Sequence, residues 1–292
     1  MKTIYLECNM GAAGDMLAAA LLELHPDPQE FLARFNALGI PGVEVTREEA
    51  VKCGITGTHL HVRVYGEEEE STNVHSHEHD HVHAHEKHGH EHPHAHGERD
   101  HDHPHAHGEH DHVHAHGHGG HHHHAGMQEI ENILGGLDVP QAVKQDAMAV
   151  YRLIAQAESK AHGRPVEQVH FHEVGSMDAV ADVMLVCMLL HELAPEQVLV
   201  SPVHVGSGQV KCAHGILPVP APATAFILKG VPIYGGSIRG ELCTPTGAAL
   251  LKHFASAFGS MPLMRVDAIG YGMGKKDFEA ANCVRANLGD TL

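Results

Sequence analysis

The N-terminal stretch TIYLECNMGAAGDMLAAALLEL, residues 3–24, decides how the fold begins. Its first four residues form a short apolar run that is typical of a buried strand. Gly11 and Gly14 then predict a tight turn. The alanine- and leucine-rich run that follows Asp15 predicts a helix over 15–24. The chain is therefore expected to start with a strand, a turn and a helix.

Outward from this stretch, helices and strands follow one another irregularly. Residues 58–65 alternate polar side chains, among them His59 and His61, with apolar neighbours, which predicts a half-buried strand. Residues 180–193 are apolar almost all round and predict a buried helix. No regular βαβ repeat is present in the sequence, so we predict an α+β fold of mixed helices and short strands.

Residues 66–126 interrupt these patterns, because bulky apolar residues nearly vanish and histidine, acidic residues, alanine and glycine take over. A segment of this composition cannot form a core, so we predict a long disordered insertion. The predicted division is an N-terminal α/β part at 1–65, the insertion at 66–126, and the remainder of the same domain at 127–292.

The insertion is rich in histidine: 24 of the 34 histidines lie between His75 and His124, most at alternate positions. In an extended chain alternate side chains point the same way, so neighbouring imidazoles can share one ion. Imidazole binds nickel, copper and zinc, and carboxylates can join it. We predict binding of several such ions with pH-dependent affinity; a hydrophilic spacer is the alternative. The candidate ligands are His75, His77, His79, His81, His83, His112, His114, His116, His121, His122, His123 and His124.

Composition limits the partners and the cellular location that can be expected for the protein. The formal net charge of −18 argues against a nucleic acid or an anionic membrane as partner. The six cysteines contain no C-x-x-C pair, which favours reduced thiols in the cytoplasm. The longest apolar run, near 179–190, is interrupted by Asp182 and is too short to span a bilayer. We expect a cytoplasmic protein.

The stretch HFHEVGSMD at 170–178 gathers groups suited to acid–base or metal chemistry. An extended backbone would place its two histidines on one face. A helix that begins near Ser176 would hold Asp178 in its first turn, where the helix dipole favours a carboxylate, and Asp182 one turn later. The alternative is that Asp178 only caps the helix and the histidines are hydrogen-bonded parts of the structure. The candidate catalytic residues are His170, His172, Glu173 and Asp178.

Several loops are suited to binding a phosphate or a ribose. The turn at 11–14 leads into a helix and can present backbone amides, although it lacks the lysine of a P-loop. The loops at 206–208 and 244–247 combine amides with hydroxyls, and a histidine precedes the proline run that starts at 218. Helix capping and ordinary turn chemistry are the alternative explanations. The candidate substrate-binding residues are Gly14, Asp15, Ser207, His214, Thr244 and Thr246.

Five segments together resemble the LarC family of pyridinium-3,5-bisthiocarboxylic acid mononucleotide nickel insertion proteins. They are ECNMGAAGDM at 7–16, HFHEVGSMD at 170–178, HGILPVPAPAT at 214–224, ELCTPTGAA at 241–249 and GYGMG at 270–274. The chain departs from the family in having Glu7 where an aspartate is usual. Full-length members also continue into a C-terminal domain beyond the position of Leu292.

The resemblance implies a nickel chelatase, or cyclometallase, of the lyase class. LarC proteins insert Ni²⁺ into a pyridinium mononucleotide that bears two thiocarboxylates, using CTP with Mg²⁺ or Mn²⁺. The product is the nickel-pincer nucleotide of lactate racemase-type enzymes, in which nickel binds a ring carbon. A proton must leave that carbon, so a general base is expected. The resemblance also implies a separately encoded C-terminal domain as partner, and we expect a homo-oligomer.

Two other functions stay open from the sequence. The histidine tract alone would suit a non-catalytic nickel storage protein or metallochaperone. An unrelated mononucleotide-processing enzyme with a metal-rich linker is the third hypothesis. Activity at high nickel after deletion of the tract would separate the nickel insertion enzyme from the storage protein or metallochaperone.

Overall fold

A computed structural model describes residues 1–68, 126–168, 176–212 and 215–292 of the chain. The predicted disordered insertion lies outside these residues, apart from its first three and its last. The first three follow β3 in a turn, in which the backbone N–H of Val64 donates to the carbonyl of Glu67 over 2.8 Å.

The described residues form helices and strands in mixed order. The helices are α1 Gly14–Leu22, α2 Pro28–Asn36, α3 Met127–Gly136, α4 Gln141–His162, α5 Met177–Leu193, α6 Pro222–Ile227 and α7 Pro245–Phe254, with a 3₁₀ turn at Val166–Gln168. The longer strands are β1 Lys2–Glu7, β2 Val43–Lys52, β3 Ile55–Val64, β4 Gln197–Val200, β7 Gln209–Cys212, β8 Gly215–Pro218, β12 Met264–Met273 and β13 Cys283–Thr291. The two-residue strands are β5 Val203–His204, β6 Gly206–Ser207, β9 Ile233–Tyr234, β10 Gly240–Glu241 and β11 Ala257–Phe258.

The central element is a seven-stranded mixed sheet with the order β11-β4-β1-β13-β12-β3-β2. β1 runs parallel to β4 and antiparallel to β13, with Lys2 opposite Asp290 and Glu7 opposite Arg285. β12 pairs antiparallel with β13 and parallel with β3. Strands from before residue 69 and from after residue 125 therefore share one sheet, and the predicted α+β class is confirmed.

Helix α1 packs directly on this sheet through two glycines of β12. A Cβ at Gly270 would lie 2.1 Å from the carbonyl oxygen of Ala20, and a Cβ at Gly272 would lie 1.9 Å from that of Met16. Real Cβ atoms do not come this close to backbone, so only glycine lets the strand pass under the helix. The GYGMG segment thus fixes where the start of α1 sits on the sheet.

Helix α5 supplies much of the core. Residues 183–190 are all buried, which confirms the predicted buried helix, although the helix begins three residues earlier than predicted. α4 packs its apolar face, including Val150 and Tyr151, against this layer. No helix in the described part of the chain is long and apolar enough to cross a membrane.

Candidate active site

The N-terminus of α1 lies against the N-terminus of α7. The backbone N–H of Ala12 donates to the carbonyl of Leu242 over 3.0 Å, and the N–H of Thr244 donates to the carbonyl of Ala12 over 3.0 Å. A Cβ at Gly247 would lie 2.2 Å from the carbonyl oxygen of Ala12. The segments at 7–16 and 241–249 are therefore in direct backbone contact, and Gly247 is required for it.

Helix α5 brings Asp182 to the same point. A Cβ at Gly14 would lie 2.5 Å from Asp182 Oδ2, so the carboxylate occupies the space that a side chain would need. The backbone N–H of Asp15 donates a hydrogen bond to the Asp182 carboxyl group. Asp15 Oδ1 accepts from the N–H of Met16 over 2.8 Å. Two carboxyl groups thus meet at the first turn of α1.

The environment of this pair favours retention of a proton. Burial raises the pKa of Asp182 well above its usual value, and the negative charges of Asp15 and Asp178 raise it further. Burial also raises the pKa of Asp15, although a backbone hydrogen bond and electrostatic interactions with His59 and Lys275 oppose the shift. The pair therefore holds a proton at pH values where an ordinary aspartate has lost it, which suits general acid–base chemistry.

Asp178 completes a set that we call the carboxylate cluster: Asp15, Asp178 and Asp182. Asp178 lies in the first turn of α5, after the N-cap residue Ser176, as predicted. Asp178 Oδ1 and Asp182 Oδ1 are buried and have no hydrogen-bond partner among the described residues. Both carboxylates also interact electrostatically with the buried Tyr151, whose pKa is raised first by burial and then by their charges. Buried polar atoms normally have partners, so these oxygens are suited to a proton or a bound ligand.

Two of the predicted substrate-binding hydroxyls have partners within the fold. Thr244 Oγ1 accepts the N–H of Gly247 over 3.1 Å and caps α7, and Ser207 Oγ donates to the carbonyl of Ile238 over 2.8 Å. Thr246 is buried in the first turn of α7. These contacts favour the helix-cap and turn explanations for Thr244 and Ser207, and substrate binding by these residues stays a prediction.

Positive charge reaches this region from the loop after β12. Lys275 is close enough to Asp15 to lower the pKa of that carboxyl group. Burial lowers the pKa of Lys276, and the negative charge of Glu241 opposes the shift. The two lysines supply positive charge for an anionic substrate. Lys275 and Lys276 were not predicted from the sequence, because two adjacent lysines in a loop match no motif.

The cysteines beside these segments are poor metal ligands. Cys8 and Cys243 are fully buried, and each has a free thiol. Burial, followed by the charge of Glu7, raises the pKa of Cys8 to about 12. Since metals bind the thiolate, these residues serve better as small apolar core residues.

Many of the predicted residues lie outside the described part of the chain. That part stops at Gln168 and resumes at Ser176, the N-cap of α5. The residues whose roles stay predictions for this reason are His170, His172, Glu173, His214 and every candidate ligand from His75 to His124.

Comparison with known proteins gives the family. A family model described as nickel insertion protein matches residues 4–291. This chain belongs to the nickel insertion protein family. The family was already indicated by the five segments, and the match covers both flanks of the histidine tract.

Several relatives of this chain are called pyridinium-3,5-bisthiocarboxylic acid mononucleotide nickel insertion proteins. One from Desulfitobacterium hafniense is 35% identical over 290 residues, which cover 99% of this chain and 59% of that protein. One from Geobacillus kaustophilus is 32% identical over 291 residues, 99% of this chain and 60% of that protein. One from Staphylococcus saprophyticus is 46% identical over 164 residues, 56% and 42% of the two chains. No solved structure matches this chain.

Glu7, at the end of β1, contacts the neighbouring strand β13. The guanidinium of Arg285 on β13 donates to Glu7 Oε2, and Asn287 Nδ2 donates to Glu7 Oε1 over 3.3 Å. The same ion pair raises the pKa of Arg285. Glu7 is therefore held by an ion pair to the neighbouring strand.

Proposed function

We propose that this chain carries the insertion site of a nickel insertion enzyme. The substrate is pyridinium-3,5-bisthiocarboxylic acid mononucleotide, the reaction uses CTP, and the product is the nickel-pincer nucleotide of lactate racemase-type enzymes. Membership of the nickel insertion protein family supports nickel as the inserted metal. The match covers 59% of the Desulfitobacterium relative. We therefore propose the complete reaction for the chain acting with the separately encoded C-terminal domain that the sequence resemblance implies.

The observation that carries this proposal is the Asp15–Asp182 pair. Insertion of nickel at a ring carbon breaks a C–H bond: the electron pair of that bond becomes the carbon–nickel bond, and the proton goes to a base. One carboxyl group of the pair is ionised while its neighbour keeps a proton, because burial raises the pKa values of both and the negative charge of Asp15 raises that of Asp182 further. The ionised carboxylate is our candidate base, and the protonated neighbour stabilises it by relieving the repulsion.

The predicted catalytic residues extend this site. Asp178 already belongs to the carboxylate cluster, and its Oδ1 is buried without a described partner. His170, His172 and Glu173 precede it by five to eight residues in the sequence. We propose that they act with it, either as metal ligands during insertion or as acid–base partners.

Recognition of the anionic nucleotide is assigned to the loops around α1 and α7. The start of α7, with Thr244 and Thr246, is a helix N-terminus, which favours anions. The lysines at 275 and 276 add positive charge. Gly14 and Asp15 lie in the same region, but the amide of Asp15 already donates to Asp182, so fewer amides remain for a phosphate than the sequence predicted. Ser207 and His214 stay further candidates.

The Mg²⁺ or Mn²⁺ that accompanies CTP in the family is compatible with the residues present. Hard cations of this kind prefer carboxylate oxygens, and Asp178 Oδ1 and Asp182 Oδ1 are buried oxygens that no described residue satisfies. These two residues would hold the ion, which would neutralise phosphate charge when bound.

The histidine tract is proposed to collect nickel for this site, and its composition supports that role. The net charge of −18 supports the absence of a nucleic-acid partner. The free thiols among the described cysteines support the cytoplasm as location. A homo-oligomer stays part of the proposal.

The decisive experiment is an insertion assay with the chain, the C-terminal part of the Desulfitobacterium relative, CTP, Ni²⁺ and the bisthiocarboxylate mononucleotide. We expect Asp182→Asn and Asp15→Asn to lower the rate of nickel-pincer formation by about 100-fold or more, the range for loss of a general base. The matched control is Asp146→Asn, which removes an aspartate that pairs with His253 on the surface of α4. Equal rates in the parent and both cluster variants would refute the role of the pair.

The storage or metallochaperone alternative is supported by the tract alone. It predicts that deletion of 69–125 removes all function, whereas the insertion proposal predicts that pincer formation survives the deletion when nickel is abundant. The same assay at high and low nickel therefore separates the two functions.

A further inference from the structure

A second group of polar side chains lies on β3 and the turn that follows it. His59, His61 and Glu68, which we call the histidine cluster, each offer one ligand atom, and the three atoms lie within 4.8 Å of one another. Among the residues that the structure describes, this is the one place where three histidine, cysteine or carboxylate ligand atoms converge in this way. We infer that the histidine cluster is a binding site for one divalent transition-metal ion.

The strand geometry places the two imidazoles side by side. His59 and His61 are two residues apart on β3, so they point to the same face of the sheet, opposite to Leu60 and Val62 of the core. Their ring centroids are 4.7 Å apart, with an interplanar angle of 86°. The two rings can therefore direct one nitrogen each towards a shared ion without a change of the backbone.

His59 is held in the tautomer that a metal ligand needs. Its Nδ1 lies 2.9 Å from the carbonyl oxygen of Met273, and a carbonyl can only accept, so Nδ1 carries the proton. Nε2 of the neutral ring is then left with its lone pair. Metal-binding histidines usually donate their other N–H to a carbonyl or carboxylate in this manner, which fixes the ring and raises its basicity.

His61 lies between two carboxylates. Its Nδ1 is 2.8 Å from Glu68 Oε1, and its Nε2 is 3.0 Å from Glu48 Oε1. An ion bound between Nδ1 and Glu68 Oε1 would replace the hydrogen bond that joins these two atoms, while Glu48 accepts the N–H of Nε2. The ring thus has an adjacent carboxylate ligand on one side and an orienting carboxylate on the other.

Glu68 is itself positioned for this role. Its Oε1 faces His61, and its Oε2 lies 3.7 Å from Lys275 Nζ. The positive charge of Lys275 opposes binding of a cation, whereas Glu48 and the nearby Asp15 favour it. Glu48 also lines a groove of about 250 Å³, in which Glu23, Glu48 and Glu49 outnumber the one cationic residue, Arg47, so a cation approaches through an acidic groove. The net local charge is therefore compatible with a divalent ion.

The ligand types select the class of metal. Two imidazoles and one carboxylate suit nickel, zinc or copper and are a poor match for magnesium or calcium, which prefer oxygen ligands throughout. Three protein ligands leave positions open for water or an incoming group. Asp15 interacts electrostatically with His59 and with Lys275, and Lys275 also lies 3.7 Å from Glu68, so the site lies near the carboxylate cluster. Use of its ion in nickel insertion rests on the proposed function, whereas binding of the ion does not.

The test uses the full-length chain with the 24 histidines from His75 to His124 replaced by serine, because the tract would otherwise bind most of the added metal. Equilibrium dialysis against Ni²⁺, and separately Zn²⁺, measures the ions bound per chain. We expect His61→Gln and Glu68→Gln each to bind one ion fewer than this parent. Glu48→Gln should keep the ion with affinity weakened by about tenfold, as for other groups that orient a ligand.

The matched control is His253→Gln. The His253 side chain is 23% exposed against 20% for His61, and it pairs with a single carboxylate, Asp146, at 2.9 Å. This variant should bind as many ions as the parent. A second measurement, which needs no variant, follows the imidazole nitrogen resonances by NMR, and Zn²⁺ should shift those of His59 and His61.

Equal ion counts in the parent, His61→Gln and Glu68→Gln would overturn the inference, and so would unshifted His59 and His61 resonances at saturating Zn²⁺. The result is read from binding, so it stands whether or not pincer nucleotide forms. Failure of the metal site and failure of the proposed insertion reaction are thereby distinguishable.

Discussion

The carboxylate cluster and the histidine cluster lie near each other, but the pKa values of their carboxyl groups are shifted in opposite directions. At the start of α1 the carboxyl groups of Asp15 and Asp182 meet each other, and burial raises the pKa values of both. On β3 the carboxylate of Glu68 meets His61 and Lys275. Burial acts to raise its pKa, but the hydrogen bond from His61 and the positive charges outweigh it, so the pKa is lowered.

The difference shows how one fold can separate two tasks. A carboxyl group that faces another carboxyl group keeps a proton and can exchange it with a substrate. A carboxylate that faces imidazoles stays ionised and can bind a metal ion. We therefore assign proton transfer to the first cluster and transition-metal binding to the second, and the stability of variants tests that division.

The largest expected change in stability comes from Gly14→Ala. The new Cβ would lie 2.5 Å from Asp182 Oδ2, which forces α1 and α5 apart or displaces the carboxylate. We expect the free energy of unfolding to fall by about 1–3 kcal/mol, as for other overpacked sites. Urea denaturation measures it, and ion binding by the histidine cluster should persist in the folded variant.

Gly135→Ala is the control for this substitution. Gly135 lies in α3, and nothing is within 4 Å of the position that its Cβ would take. Alanine there should raise stability by up to about 1 kcal/mol, because it restricts the unfolded chain and favours the helix. If Gly14→Ala were as stable as Gly135→Ala, the close contact of Gly14 with Asp182 would be refuted.

The next largest change is expected for Asp182→Asn, whose stability relative to the parent should depend on pH. The folded-state pKa of Asp182 is raised, so the folded protein holds a proton that the unfolded chain releases above about pH 4. Stability from this group is complete below that pH and is lost as the pH rises through the folded-state pKa. Asparagine can still accept the N–H of Asp15 and does not ionise. The variant should therefore be more stable than the parent at pH 7 by about 1 kcal/mol or more, the value of one pKa unit.

Thermal unfolding between pH 4 and pH 8 measures this difference, which should shrink towards zero at the acid end. Asp146→Asn loses an ion pair with His253 and should show no gain at pH 7. A parent that gains stability over Asp182→Asn as the pH rises would contradict the raised pKa.

Sequence reasoning succeeded where the signal is local. Asp178 lies in the first turn of α5, as predicted. The alternating residues around His59 and His61 form a strand, also as predicted. Both signals depend on only a few neighbouring residues. The five family segments also gave the family. The predicted bounds of the insertion stay a prediction, because most of it lies outside the described residues.

The contacts that build both clusters could not be predicted in this way. Asp15 and Asp182 are far apart in the sequence, and only the packing of α1 on α5 brings them together. The histidine cluster needs a turn that folds Glu68 back on His61, and a β12 carbonyl, that of Met273, for His59. Neither set of contacts can be predicted from composition or from the spacing of apolar residues. The His-x-His pattern on a strand could, however, have indicated the histidine cluster.

The smallest effect, and the one that sharpens the comparison most, is that of Glu68→Gln. The pKa of Glu68 is lowered, so its stabilising contribution is present above the unfolded-state value of about 4.5 and is lost as the pH falls through the folded-state value. Glutamine removes this contribution. Since the pair with His61 is partly exposed, we expect the variant to be less stable at pH 7 by only a few tenths of a kcal/mol to about 1 kcal/mol. This loss of stability should disappear in acid, and Glu131→Gln, which changes an exposed glutamate, should show no loss.

Glu68→Gln and Asp182→Asn are best measured in one pH series. At pH 7 their stabilities should differ from that of the parent with opposite signs. The same sign for both would mean that the two clusters do not divide proton transfer and metal binding as we propose.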